Sequence, residues 1–229
     1  MRRIWMASCA LVVSSAAVGA FPFANSWHMP ATGVAGQNRC GAGGIYATGA
    51  RTDHSVKCQH CHIPNAATNP GTIAMMVAAT PAFGKKGNDD AYTPGTRYTL
   101  TISMVGEHRF GMGSADNANA MAAVIEDASG HVAGRYIADD GHDSASCPAT
   151  YPYSGTPPAG KTTLVYGDCH GVLPLAYVNQ THWTFDWVAP AAGTGDVTMF
   201  VGMVDGDHDG GSSLDDDAIQ KAYPLREGP

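Results

Sequence analysis

The run Lys57-Cys58-Gln59-His60-Cys61-His62 is where residue type and spacing first point to chemistry. Two thiols three positions apart can each add to one of the two vinyl groups of a haem, and the adjacent histidine then lies under the iron. On that reading Cys58 and Cys61 form the thioethers of a covalent haem c, and His62 is the axial iron ligand. The same residues allow two other uses. Cys58, Cys61 and His62 could hold a structural zinc ion with His60 or His54, or Cys58 and Cys61 could close a disulfide. For the sixth iron position the sequence offers His108, His170, His182, Met75 and Met76. His170 is the nominee, because it adjoins Cys169 and a disulfide there would hold it in place.

A second constellation is Asp205-Gly206-Asp207-His208-Asp209-Gly210, followed by Ser213 and Asp216. Alternate acids, a central glycine and a distal acid are the oxygen-ligand pattern of a calcium loop, with Asp216 where a bidentate Glu usually stands. The candidate ligands are Asp205, Asp207, Asp209, Ser213 and Asp216. The flanks read as strands rather than helices, so a solvated acidic hairpin tip is the other use of this segment. No Gly-x-Ser-x-Gly elbow is present, and Gly111-Met112-Gly113-Ser114 lacks the strand–helix setting of a phosphate loop. The expected classes are therefore an electron carrier or a binding module, rather than a turnover enzyme.

The elements that must position these residues read as strands. In Arg97 to Val105, Tyr98, Leu100, Ile102 and Met104 alternate with Thr99, Thr101 and Ser103. In His182 to Val188, Trp183, Phe185 and Trp187 fall on one face. Further strands are expected at Thr72 to Ala79, Met121 to Ile125, His131 to Ile137, Thr162 to Tyr166, Leu173 to Val178 and Val197 to Met203. Tyr92-Thr93-Pro94-Gly95 is a turn, since proline presets φ and glycine admits positive φ. About eight short strands with no long helix predict an all-β immunoglobulin-like sandwich.

Residues 1–20 read as an export signal: Arg2 and Arg3, an apolar run, then Val18-Gly19-Ala20 as a small-residue cleavage site. Residues 21–71 are an irregular lead-in carrying the Cys-His run, and residues 72–229 the sandwich. No second apolar segment is long enough to span a membrane. Loss of Arg2 and Arg3 leaves 11 basic residues against 20 acidic ones, taking the formal charge from −7 to −9. An acidic chain lacks the basic face that nucleic-acid binding needs. Its expected partners are a redox protein or a surface ligand. In an oxidising compartment Cys147 and Cys169 are the expected disulfide, flanking a Pro/Gly-rich loop, with Cys40 left over; pairing of Cys40 with either of them stays open.

The stretch Tyr92-Thr93-Pro94-Gly95-Thr96-Arg97-Tyr98-Thr99-Leu100 resembles the opening of a reeler (reelin N-terminal-like) domain. Trp183-Thr184-Phe185-Asp186-Trp187-Val188-Ala189-Pro190 and Gly195-Asp196-Val197-Thr198-Met199-Phe200 resemble its last two strands. The likeness spans roughly residues 65 to 220. Gly43-Gly44-Ile45-Tyr46-Ala47-Thr48-Gly49-Ala50, leading into the Cys-His run, is similar to secreted myxobacterial-type proteins that join such a motif to a reeler-like domain. The resemblance implies a β-sandwich and a location outside the cytoplasm: periplasm, outer surface or medium. It implies little about activity.

Overall fold

The computed structural model describes residues 46–60, 62, 73–107, 117, 119–146, 159–165, 170–175, 179–206 and 216–229. Among these the chain forms eleven strands: β1 (Ala74–Thr80), β2 (Gly84–Lys86), β3 (Asp89–Tyr92), β4 (Arg97–Val105), β5 (Ala120–Asp127), β6 (Arg135–Ala138), β7 (Thr163–Leu164), β8 (Leu173–Pro174), β9 (His182–Val188), β10 (Val197–Asp205) and β11 (Asp217–Glu227). A first sheet has the order β1-β4-β9-β6 and a second β2-β3-β11-β10-β5, while β7 and β8 make a short ladder of their own. The pairings are antiparallel except β3 with β11.

Period-2 patterning explains the first sheet. Antiparallel register sets Tyr98 against Trp187, Leu100 against Phe185 and Ile102 against Trp183 on its inward face. All six are buried and meet Met121, Ala123, Ile125, Val197, Met199, Val201 and Met203 from the second sheet in one continuous core. Full burial of each large apolar side chain stabilises by roughly 1.5–3 kcal/mol. Trp187 is fixed further. Its indole N–H donates to the Ala133 carbonyl at 2.9 Å, and Gly134 leaves the room for it. A Cβ at Gly134 would lie 2.5 Å from Trp187 Nε1, and its φ of +84° already selects glycine. Tyr136 of β6 crosses between the sheets: its hydroxyl accepts the Ile125 N–H at 2.7 Å and donates to the Ile125 carbonyl.

The all-β sandwich is as expected, with differences in detail. β4 and β9 run over the predicted residues, whereas among the described residues β7 and β8 take two residues each of longer expected strands. Three strands were not expected: β2, β3 and β11. The last is the longest among the described residues and the one that joins β10 to β3.

The β5–β10 part of the second sheet is covered on both faces, and this places the lead-in. Outward residues Ala122, Val124 and Phe200 pack with Tyr46, Ala50, Leu164, Leu173 and Leu175. Outward Ala120, Val204 and Ala218 pack with Ala47, Val56 and Cys58. Small residues on β5 let the lead-in backbone lie close on the sheet.

Candidate functional site

The lead-in is organised around one carboxylate. Gly49 N–H bonds the Val56 carbonyl at 2.7 Å, and Ser55 N–H bonds that of Ala50 at 2.8 Å, closing a tight loop over residues 49–56. Inside it Asp53 is fully buried. Its Oδ1 accepts the Tyr46 N–H at 2.7 Å, and its Oδ2 accepts the Thr48 N–H at 2.9 Å and the Thr48 hydroxyl. His170 Nε2 stands 3.1 Å from Oδ1, and the His170 ring lies 4.1 Å from that of Tyr46. Burial pushes the Asp53 pKa up, but the hydrogen bonds from His170, Thr48 and Tyr46 outweigh it and hold the carboxyl below its ordinary value of 3.8. The neighbouring Gly171 is obligatory for this packing. A Cβ there would meet the Ala123 carbonyl oxygen at 2.6 Å and Tyr46 at 2.8 Å.

A second acid fastens the same loop to β5. Buried Glu126 accepts the backbone N–H of Arg51 at 3.0 Å, the N–H of Thr52 at 2.7 Å and the Thr52 hydroxyl at 2.6 Å. Neither Asp53 nor Glu126 was among the residues singled out in the sequence. The signal available was an ionisable residue closing the apolar run Ala120 to Ile125, and an aspartate in a stretch otherwise free of period.

The Cys-His run begins as a single 3-10 turn, Cys58–His60, continued by a bond from the His62 N–H to the Cys58 carbonyl at 2.9 Å. Cys58 is 4 % exposed. Its Sγ is 3.4 Å from the Ala47 carbonyl and rests on Gly202 of β10, where a Cβ would come within 2.7 Å of the sulfur. The thiol therefore faces the sheet. His62 reaches the other way along the sheet end, with Nδ1 2.5 Å from Asp216 Oδ2. A carboxylate on one ring nitrogen is the arrangement by which metal-binding histidines are oriented for a ligand bond through the other. The structure thus brings two of the predicted elements together, since His62 of the Cys-His run contacts Asp216 of the acidic segment. Cys61 lies outside the described residues.

The remaining predicted residues fall as follows. His170 has its Nε2 turned to Asp53, 3.1 Å away. Asp205 is buried at the end of β10, with its Oδ1 accepting the Asn117 side-chain N–H at 2.8 Å. Its cross-strand partner Asp217 accepts the Ile73 N–H at 3.0 Å. Asp216, one residue before Asp217, turns to the lead-in side. Among the described residues no group of three or more His, Cys, Asp or Glu is arranged to hold a metal ion. Asp207, Asp209 and Ser213 of the loop, and Cys147 and Cys169 of the expected disulfide, lie outside the described residues. So does the expected export signal. Among the described residues no helix is long and apolar enough to cross a membrane.

Solved structures similar to this chain include the Reelin-N domain of F-spondin, at 19% identity over 72% of this chain and 95% of that one, with a TM-score of 0.41. The human F-spondin reeler domain is similar at 15% identity, covering 69% of this chain and 91% of that one, with a TM-score of 0.40. AvmM, which catalyses macrocyclization in alchivemycin A biosynthesis, is similar at 18% identity, 69% and 90% coverage and a TM-score of 0.35. Reeler domains are also the family that the strand and turn motifs of the sequence resemble. No family model and no curated protein matches the chain.

Proposed function

We propose that the chain is an exported, non-redox binding module, in which the Cys-His segment is a structural lock closing the lead-in over the second sheet. One observation carries this reading: the Cys58 thiol is seated inward on Gly202 and the Ala47 carbonyl. A thioether to haem requires the Cys58 sulfur at the porphyrin edge, so this sulfur would have to leave its seat and Ala47 and Val204 would lose a packing partner. Three polar attachments support the same reading, through Asp53, Glu126 and Asp216. They fix the segment to the sandwich through side chains of the chain itself. Calcium is not part of this reading, because Asp205 and Asp216 already engage Asn117 and His62.

A second reading, a monohaem electron carrier, is favoured by the His62–Asp216 pair. A carboxylate on Nδ1 orients an imidazole and raises the basicity of Nε2, as partners of metal-bound histidines do. Cys58, Cys61 and His62 would hold the group, and a haem c there would supply single-electron transfer. His62 fits that role, and the inward seat of Cys58 does not.

The deciding experiment is expression of the chain in a host with c-type haem maturation, followed by denaturation and a pyridine haemochrome spectrum. The lock reading expects no haem to survive denaturation, and expects Cys58→Ala to lower the melting temperature by removing a buried contact. A covalent haemochrome signal that Cys58→Ala abolishes would replace the lock by the electron carrier.

A further inference from the structure

The backbone of the lead-in bonds to itself. Among the described residues, each backbone-to-backbone hydrogen bond made by residues 46–62 ends inside the segment, as from Gly49 to Val56, Ser55 to Ala50, Val56 to Asp53 and His62 to Cys58. Thr48 bridges Lys57 in the same way. β10, by contrast, is laddered along its length to β11 and to β5. Side chains join the segment to the sandwich: Glu126 accepts from Arg51 and Thr52, Asp53 meets His170, His62 meets Asp216, and the Arg51 guanidinium donates to the Ala128 carbonyl. The apolar contacts divide along the same line. The core between the sheets holds no described residue before Ile73. Tyr46, Ala47, Ala50, Val56 and Cys58 belong instead to two small clusters on the outward face of β5 and β10. The segment is also strained. Ala47, His54 and Ser55 have φ of 57°, 52° and 60°, and among the other described residues Asn179 is the one non-glycine in that region. Left-handed backbone is unfavourable for a residue with a Cβ, and it persists only while the surrounding contacts hold it.

We infer that residues 46–62 form a strap that opens as one unit while the sandwich stays folded, baring the apolar outward face of β5 and β10. Opening breaks no strand ladder, leaves the inter-sheet core intact and relaxes three strained residues, which is the pattern of a local unfolding unit. It gives up the side-chain bonds and the two small clusters, so the closed form dominates. Once the strap is open, Ala122, Val124, Phe200 and Val204 meet water, beside Leu164, Leu173 and Leu175. The strap is thus a guard over apolar surface, and its opening is a smaller event than unfolding. The inference rests on the lock reading for where the segment lies, not for what the Cys58 sulfur bonds.

Native-state amide exchange of the full chain, read residue by residue by NMR in urea below the unfolding transition, tests this. The amides of Gly49, Ser55, Val56 and His62 are expected to exchange about tenfold or more faster than those of β4, β9 and β10, with the weak urea dependence of a small exposed area. Thr52→Ala removes a hydroxyl bond to Glu126 from the strap itself. It should speed strap exchange about threefold or more while the strand amides keep their rates. Ser55→Gly, at an exposed position, relieves one strained residue and should slow strap exchange. One urea dependence shared by strap and strands, a Thr52→Ala change that moves both alike, or a Ser55→Gly change that speeds the strap would each overturn the inference. Failure of the lock shows separately, as a covalent haemochrome signal, because amide exchange does not read the Cys58 sulfur.

Discussion

On the first sheet the outward row of β4 and β9 includes Thr99, Thr101, Ser103 and Thr184 beside the charged Arg97 and Asp186, left half-buried or exposed. On the second sheet the outward residues of β5 and β10 include Ala120, Ala122, Val124, Phe200, Gly202 and Val204, and a folded segment lies over them. The inward faces of the two sheets are alike, both lined with large apolar residues. The difference shows how one alternating pattern yields two kinds of layer. Hydroxyls on the far side of a strand keep it wet, and alanine and glycine there admit another piece of backbone. The cover then needs its own polar fasteners, because its loop carries backbone groups that cannot all pair with a sheet. Asp53 and Glu126 meet that need.

Five measurements would break or sharpen this contrast. The largest effect is expected at Asp53→Ala, which strands His170 and the N–H groups of Tyr46 and Thr48; urea unfolding should show a loss of about 3–5 kcal/mol. The same group sets an acid dependence. Its folded pKa is lowered below 3.8, so its contribution is complete above the unfolded value and disappears as pH falls through the folded one. Wild-type stability should drop on acidification below about pH 4, more steeply than that of Asp53→Asn. Next is Gly171→Ala, where the added Cβ meets a backbone oxygen at 2.6 Å; overpacking of this kind costs about 1–3 kcal/mol. Glu126→Gln keeps the shape but weakens three accepted hydrogen bonds, for about 1–2 kcal/mol and faster amide exchange at Arg51 and Thr52. The smallest effect belongs to the open face, where Thr101→Ala, losing a 3.3 Å contact with Thr184, should stay within about 0.5 kcal/mol. If Glu126→Gln costs no more than Thr101→Ala, the cover is a passenger.

The first sheet was legible because its information is local. Trp183, Phe185 and Trp187 announce a strand and its buried face within seven residues. β11 was hidden by its own composition. Lys221 interrupts the alternation of Ile219, Tyr223 and Leu225, Pro224 argues against a paired strand, and the strand holds because β10 supplies the ladder. The Cys-His run could be found from spacing alone, but not the direction of its thiol, which Gly202 decides from 144 positions away. Likewise nothing near Asp53 in sequence points to His170. These pairings depend on which backbone the sheet brings near, and a lead-in without period carries no trace of that.

The cover also has an order in time. Of the described residues it is made first, yet Asp53 must wait for His170, 117 positions later, and His62 for Asp216, 154 positions later. Contacts of such long separation form slowly. Until β10 and β11 have paired, Cys58 lacks its seat on Gly202 and His62 its partner Asp216, and the Cys-His turn stays open to proteases. Protection of the lead-in is therefore a readout of completion: a chain whose first segment resists cleavage is one whose last strand is already in place.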